Sequence, residues 1–435
     1  MLRRGRSPAG RVWGRPARTI AAMLDEPEIA PRELPLAQNR DFKVLLTSQG
    51  VSALGDAVSF TALPLLVLAL TGSGFAMGVV GAVQTFPDFI FGMLAGALAD
   101  RSDRKRMMFL ADFGRAIMTA FIPLSVAAEG PTMAVILLVA APMSILRSFF
   151  LAGYTASIPA LVGRGQVGRA NSIFEALYSF GFIIGPAIAG ILAATIGPGP
   201  TIAIDAVSFA ASALFLALLR TDLRAPVDRQ HPPILTAIRE GIDYILASPV
   251  LRTAIALWST VSVLLAPLVA ALAVRVTIDL GQPASTLGFL LATYGVGTVA
   301  GSLLTARMIN RSRPGIVLLI GNTIMGAALF LVAIIDSLPV LVPVSFVAGV
   351  AQSTVLVTYI TLRTAYSPDA LLGRIGGTAR TISLGLQPIG LLIGGALIDR
   401  ISGSVTLALI GALLVVANIA FASVAALRRA TLQPR

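Results

Sequence analysis

At 435 residues, 56% hydrophobic and only 12% charged, the chain is too apolar for a soluble domain, where about 25% of residues carry charge, and reads as a membrane protein. Its net charge of +12 does not signal nucleic acid, because the cations lie in short segments between apolar runs, where they meet anionic lipid and set orientation. There is no cysteine, and the single histidine, His231, stands in a polar Arg-Gln-His-Pro-Pro loop; disulfides, thiol chemistry and imidazole relays are excluded, and neither a metal nor a cofactor is expected.

Residues 1–42 are Arg- and Pro-rich, lack the apolar core of a signal peptide, and read as a disordered cytoplasmic tail in which Met1 or Met23 serves as the start. Twelve apolar runs follow, near 44–70, 77–98, 107–128, 133–157, 171–196, 201–219, 252–276, 286–306, 315–335, 340–364, 376–398 and 405–427. Each approaches the ~20 residues a spanning helix needs. Backbone groups in hydrocarbon must bond internally and the runs are too long for barrel strands, so the expected fold is all-α with twelve transmembrane helices. The longest internal connection, 220–250, divides a six-helix bundle at 43–219 from a second at 251–427, with a tail at 428–435. Within that connection Ile234 to Leu246 has the pattern of an amphipathic surface helix, Ile238, Ile242 and Ile245 opposing Arg239, Glu240 and Asp243.

Lys and Arg crowd into the segments before the first span and after each even one, while the other side carries only Arg275 and Arg400 at span edges, so both termini are expected in the cytoplasm. Span two ends Gly92-Met-Leu-Ala-Gly96-Ala-Leu-Ala-Asp100 and is followed by Arg101, Asp103, Arg104, Lys105 and Arg106. Its two glycines let another helix approach closely. Gly297, Gly301 and Arg307 repeat that spacing at the end of span eight, with Thr305 where the first half has Asp100. Val167-Gly168-Arg169 and Leu372-Gly373-Arg374 likewise precede spans five and eleven, and Gly185-Pro186 and Gln387-Pro388 interrupt them, which marks the halves as an internal repeat.

Together these features resemble the major facilitator superfamily of secondary transporters. The Gly96–Arg106 segment is similar to that family's loop signature between spans two and three, departing from it at Asp103, where glycine is usual. Asp103 instead looks like the branch that contains the enterobactin exporter and macrolide efflux proteins, as do Asn39-Arg40-Asp41-Phe42, Asp56 in its Ser-Ala-Leu-Gly-Asp segment, Asp112-Phe-Gly-Arg115 and Ile204-Asp205. Gly185, Pro186 and Gly190 resemble the glycine–proline motif of proton-coupled exporters in span five. The resemblance implies a gate in which Asp100, Arg101 and Arg104 meet the start of span eleven near Arg374 to Arg380 and close the cytoplasmic side; an acid facing a helix N-terminus is favourable.

An energy source is also needed. Lys43 and Lys105 are the only lysines and neither completes a phosphate-binding loop, which leaves ion coupling. Ionisable groups in a membrane are costly, at about 2.5–3.5 kcal/mol each, and counting along the spans puts Asp56, Asp88 and Arg147 nearest the midplane. An acid that gains and loses an arginine partner as helices move takes up and releases a proton. Asp56 or Asp88 is expected in that role with Arg147 as the partner or as an anchor for a substrate anion; a permanent structural pair is the other reading. Arg115 sits three residues after Asp112, a spacing that serves either the gate or a local pair. A pocket between the halves draws on Phe60, Gln84, Phe91, Tyr178, Trp258, Tyr294, Gln352 and Tyr359, aromatic and amide groups on aliphatic helices suited to a bulky amphiphile. The expected function is proton-coupled export of a drug or siderophore-like small molecule by a monomer in the bacterial inner membrane. A facilitator or importer of a small metabolite, and a non-transporting lipid-handling or scaffold protein, are the alternatives; no enzyme is expected.

Overall fold

The computed structural model describes residues 35–128, 130, 133–224, 234–309, 312–368 and 371–432. Among these, twelve helical segments are long and apolar enough to cross a membrane. The first half contains spans one (Arg40–Thr71), two (Gly74–Ala99), three (Arg104–Ala128), four (Met133–Val162), five (Val167–Thr195) and six (Ala203–Ala217, entered through the short turn Pro198–Thr201). A linker helix, Ile234–Ala247, leads to span seven, which runs Pro249–Leu265, breaks, and resumes through Leu268–Val274 to a π turn at Arg275–Asp279. Spans eight to twelve are Ala284–Ile309, Pro314–Ile334, Leu338–Ala365, Leu372–Ile401 and Gly403–Ala422.

Several helices outrun the apolar stretches that announced them, while spans six and twelve end short of theirs, at Ala217 and Ala422. Span three starts at Arg104 rather than 107 and span eleven at Leu372 rather than 376. Apolarity marks depth in hydrocarbon, whereas arginine is a good helix former and continues the helix into the headgroups. The ends are finished by local chemistry. Asn39 Oδ1 accepts from the Phe42 amide at 2.9 Å while its Nδ2 donates to the Leu161 carbonyl, so one side chain caps span one and fixes it to span four. Gly72 ends span one at φ +63°, a left-handed turn that leads into Ser73, the N-cap of span two.

Within the first half, span one packs on five and six, three on four and six, and two on four; within the second, seven packs on eleven and twelve, nine on ten and twelve, and eight on ten. The pattern maps each span to the one six later. Two pairs dominate the contact between the halves, spans two with eleven and five with eight, and the same mapping interchanges them; the Leu268–Val274 segment of span seven adds lesser contacts to spans one and two. One face of this bundle carries the start of span one and the basic loops and is called the basic face below. At the opposite face Arg275 is neutralised locally, donating to Asp336 at 2.6 Å and to the Ile335 carbonyl at 3.0 Å.

The repeat of glycines has an unequal outcome. Gly297 and Gly301 hold span eight against span ten: a Cβ on Gly301 would stand 2.5 Å from the Val350 carbonyl oxygen, and one on Gly297 3.0 Å from the Phe346 carbonyl carbon. Gly92 and Gly96 face open space, with nothing within 4 Å of either Cβ position. Thr305 is no counterpart of Asp100 either. It is buried inside span eight, bonding Gly301 O and Thr354 Oγ1, whereas Asp100 lies just beyond the end of span two. The spacing repeats in sequence but is offset along the helix.

The linker helix lies on the second half. Ile245 enters that half's core with Leu251 and Ile375, Gly241 lets the backbone approach Arg374 and Thr378, and Glu240 pairs with Arg374. Ile242 is partly exposed, and the side chain of Ile238 lies outside the described residues, as does the N-terminal tail up to residue 34.

Overpacking a tight helix contact costs roughly 1–3 kcal/mol. Gly301→Val is expected to destabilise the protein by about that amount and Gly92→Ala by much less, a contrast read by thermal unfolding in detergent.

Candidate functional site

Spans one, three and six meet around a buried charge cluster, and the approach depends on Gly55. A Cβ there would stand 2.7 Å from Asp205 Oδ1 and would clash with Ser208 Oγ, so only glycine lets span six lie this close to span one. The next residue, Asp56, accepts a hydrogen bond at 2.7 Å from Arg115 Nη2, while Arg115 Nη1 donates to Asp112 Oδ1 at 3.2 Å. The guanidinium lies 3.8 Å from the Phe209 ring centroid and 5.9 Å from that of Phe150, a cation–π seat in a water-poor place. Asp112 takes its second support from Ser212 Oγ at 2.5 Å, and Ser212 meets Ser48 Oγ at 2.7 Å, so a hydrogen-bonded chain links span three through span six to span one. Ser208 donates to Asp205 Oδ1 at 3.3 Å, and Tyr178 of span five donates to Gln49 Oε1 at 3.3 Å.

Three carboxylates therefore surround one guanidinium. Arg115 and Asp112 are 3% and 0% exposed, and Asp205 is buried with them; Asp56, at 38% side-chain exposure, is the member that reaches open space. The cluster is rigid on its inner side and accessible at one carboxylate.

Arg147, expected opposite Asp56, is exposed on span four, and the guanidinium that meets Asp56 is that of Arg115. The reason is register. Because span three begins at Arg104, Arg115 falls at the middle of its 25-residue helix, level with Asp56 at the middle of the 32-residue span one. The i,i+3 pair of Asp112 and Arg115 is present, but as half of a larger network. Asp88 lies on span two with its side chain outside the described residues.

The pocket candidates divide. Phe60 is exposed and meets Phe182 edge-to-face at 5.5 Å; Gln84, Phe91, Tyr178, Trp258, Tyr294 and Gln352 are half-buried. Trp258 stacks on Tyr359 at 4.9 Å, and Arg363 covers Tyr359 at 5.4 Å. At 2% exposure Tyr359 belongs to the core of the second half and does not line a pocket in this state. Gln352 Oε1 is buried without a hydrogen-bond partner.

Contacts between the halves run from the side away from the basic face to mid-depth, where Gly385 of span eleven meets Phe89 of span two and Gly295 of span eight meets Ile183 of span five. Gly190 of span five meets Gly288 of span eight, where an added Cβ would stand 2.9 Å from the Gly288 Cα, and Pro186 joins that contact through its carbonyl. Gly185 turns the other way and seats on Ala57 of span one, so the motif divides between interface and bundle interior. At the basic face, Gly168, Gly373 and Gly377 meet nothing within 4 Å, as with Gly92 and Gly96. The crevice between the halves is open there.

Consistent with that opening, the gate residues are engaged elsewhere. Arg104 Nε donates to Ala99 O at 3.1 Å and its Nη1 to Ala156 O at 2.9 Å, so it joins the end of span two to span four rather than to span eleven. Arg374 is taken by Glu240 of the linker helix. Asp103 accepts from the Arg106 amide, Arg101 is exposed, and Asp100 is exposed beyond span two. Two acids emerge as partners across the fold: Glu240, expected on the polar face of the linker helix, pairs with Arg374, and Asp399 in the last turn of span eleven accepts from Ser73 at the start of span two.

The chain matches the family of transmembrane secretion effectors across residues 33–433. It is 28% identical over 353 residues to the multidrug efflux pump Tap of Mycolicibacterium fortuitum, covering 79% of this chain and 86% of the relative. Its identity to the enterobactin exporter EntS of Escherichia coli O1:K1 / APEC is 26% over 376 residues, covering 84% and 86% respectively. Among solved structures, the nucleoside transporter NupG superimposes with a TM-score of 0.73 over 88% of this chain and 99% of that one at 16% identity, a likeness of fold.

Removing one partner of a buried charge network strands the others at a cost of about 3–5 kcal/mol. Arg115→Ala is expected to destabilise by that order and Asp56→Asn, at the open edge, by less than about 1 kcal/mol; thermal unfolding of the purified variants distinguishes them.

Proposed function

Because the chain belongs to the transmembrane secretion effector family of the major facilitator superfamily, we propose that it exports a bulky amphiphile, a drug or siderophore-like small molecule, from the cytoplasm in exchange for protons. The observation that carries the reading is the Asp56–Arg115 pair: a carboxylate at mid-depth, half open to space between helices, bonded to a buried guanidinium that is itself fixed by Asp112. Retaining such charges at that depth is expensive, and a scaffold has no use for one that opens to water. Relatives that are named a multidrug efflux pump and an enterobactin exporter support the direction and the substrate class.

The basic face is assigned to the cytoplasm, since cationic loops are retained there. On that assignment this is the inward-open state. Substrate enters from the cytoplasm between the two six-helix halves and meets Phe60, Gln84, Phe91, Tyr178, Trp258, Tyr294 and Gln352. Asp56 in this state is paired with Arg115 and has given up its proton. When the halves rock, the cytoplasmic ends of spans two and eleven close, the crevice opens outward, and an external proton neutralises Asp56 and frees it from Arg115; returning inward restores the pair and releases the proton. Gly92, Gly96, Asp100 and Arg374 form the closing surface on the cytoplasmic side. Gly190 and Pro186 give against Gly288 on the outer side. The protein works as a monomer with both termini in the cytoplasm.

Inverted membrane vesicles test this directly. With an inward-directed export path and an acid interior, lipophilic drugs or siderophores should accumulate in a gradient-dependent manner, and Asp56→Asn should reduce that accumulation at least about tenfold, the loss of ~1.4 kcal/mol of coupling or more, while leaving the protein folded. Movement that ignores the proton gradient points to a facilitator. Absence of movement for every compound points to a non-transporting membrane protein.

A further inference from the structure

Spans two and eleven run antiparallel, and each has an acid at its C-terminal end: Asp100 immediately after Ala99, and Asp399 in the last turn of the helix that ends at Ile401. Asp399 is bonded to the other helix. Its carboxylate accepts from Ser73 Oγ at 2.6 Å, from the Gly74 amide at 2.5 Å and from the Phe75 amide at 3.1 Å. Those amides belong to the first turn of span two, which has no internal acceptors for them and is the positive end of the helix dipole. An acid of the second half thus caps a helix of the first.

Helix register extends the observation to the far end. At 3.6 residues per turn, eighteen residues complete five turns, so Gly92 and Gly96 lie on the same face of span two as Gly74 and Gly78, and Gly373 and Gly377 on the same face of span eleven as Leu391 and Gly395. Gly74 packs on Ile398 and Gly395, and Gly78 on Leu391 and Gly395. Continuing the same antiparallel pairing sets Gly92 opposite Gly377 and Gly96 opposite Gly373, four glycines that meet nothing in this state. One continuous small-residue seam is closed at the Asp399 end and open at the Asp100 end.

We propose that Asp399 is a positioning residue for transport, the outer counterpart of Asp100. In the state seen here Asp399 caps span two and holds the outer side shut. When the cytoplasmic side closes along Gly92, Gly96, Gly373 and Gly377, Asp100 caps the start of span eleven around Leu372 to Ile375, and Asp399 releases Ser73, Gly74 and Phe75. The two acids compete through one tilt of the same helix pair. This deepens the alternating-access reading above and rests on it for the inner gate, but not on proton coupling or substrate.

A cysteine-free chain permits a direct readout. Spin labels on Arg106→Cys and Thr364→Cys, exposed at the basic face on different halves, report closure of that face by double electron–electron resonance in lipid nanodiscs without substrate or gradient. Asp399→Ala should raise the short-distance population several-fold, Asp100→Ala should lower it, and the Asp100→Ala/Asp399→Ala double variant should return it toward the parent distribution. Ser73→Ala, which keeps the carboxylate and removes one donor, should shift it in the Asp399→Ala direction by less. An unchanged or longer distance distribution in both Asp399→Ala and Ser73→Ala overturns the proposal, and so does a double variant indistinguishable from Asp399→Ala alone. Loss of proton-driven transport in vesicles with this distance pattern intact would instead fault the coupling reading.

Discussion

A guanidinium in hydrocarbon has to be surrounded before anything else can be arranged. Arg115 is 3% exposed at the middle of span three, and it is surrounded by Asp112 on its own helix, Asp56 of span one and the faces of Phe209 and Phe150, with Nε alone lacking a hydrogen-bond partner. Asp112 in turn is held by Ser212 and through it by Ser48. The missing Cβ at Gly55 belongs to the same requirement, since it admits span six with Asp205 and Ser208 to the cluster. The relative placement of spans one, three and six follows from satisfying this one charge. With the inner side of the network fixed by neutral hydroxyls and rings, what remains variable is Asp56, the carboxylate at its edge.

Contacts between the halves obey a different rule. Within the second half, Gly297 and Gly301 bring span eight onto the backbone of span ten, and an Asn322–Asn418–Thr323 set of hydrogen bonds fastens span nine to twelve. Across the interface the pairings of Gly78 and Gly395, and of Gly190 and Gly288, bring backbone against backbone, while Ile398, Leu391 and Phe89 seat their side chains on Gly74, Gly81 and Gly385. In a membrane the lipid tails are as apolar as leucine, so association rests on close packing and hydrogen bonds. Small-residue seams supply that close packing, with each glycine taking a neighbouring backbone or a single side chain.

Much of this architecture was readable from composition, because hydrocarbon imposes one dominant requirement, a run of apolar residues. The number of spans follows from it. What hydropathy does not encode is rotation about each helix axis or the residue at which a helix starts. Arg147 and Arg115 sit at similar depths in their spans, and nothing local in the sequence says which one points at Asp56. The same limit made Thr305 look like the second half's equivalent of the Asp100 position, when it is a buried residue hydrogen-bonded to Gly301 and Thr354. Tyr359 reads as a polar aromatic in an aliphatic helix but is stacked into a core by Trp258. The partners of Asp399 and Glu240 lie far away in sequence, at Ser73 and Arg374, and only the folded chain brings them together.

The attachment of the linker helix has a consequence for how the protein can be taken apart. Glu240 on Arg374, Gly241 against Thr378 and Ile245 in the core make this helix a resident of the second half, riding on the first turns of span eleven. A polypeptide severed between Arg224 and Ile234 would leave each fragment with its own contacts complete, and the two could reassemble as separately made subunits. Severed after Ala247, the same chain would strip span eleven of its brace and hand the first fragment a greasy appendage with no seat. Arg220 and Thr221, bonded to Asp41, belong to the first half and the linker helix to the second, so the division between them falls upstream of Ile234.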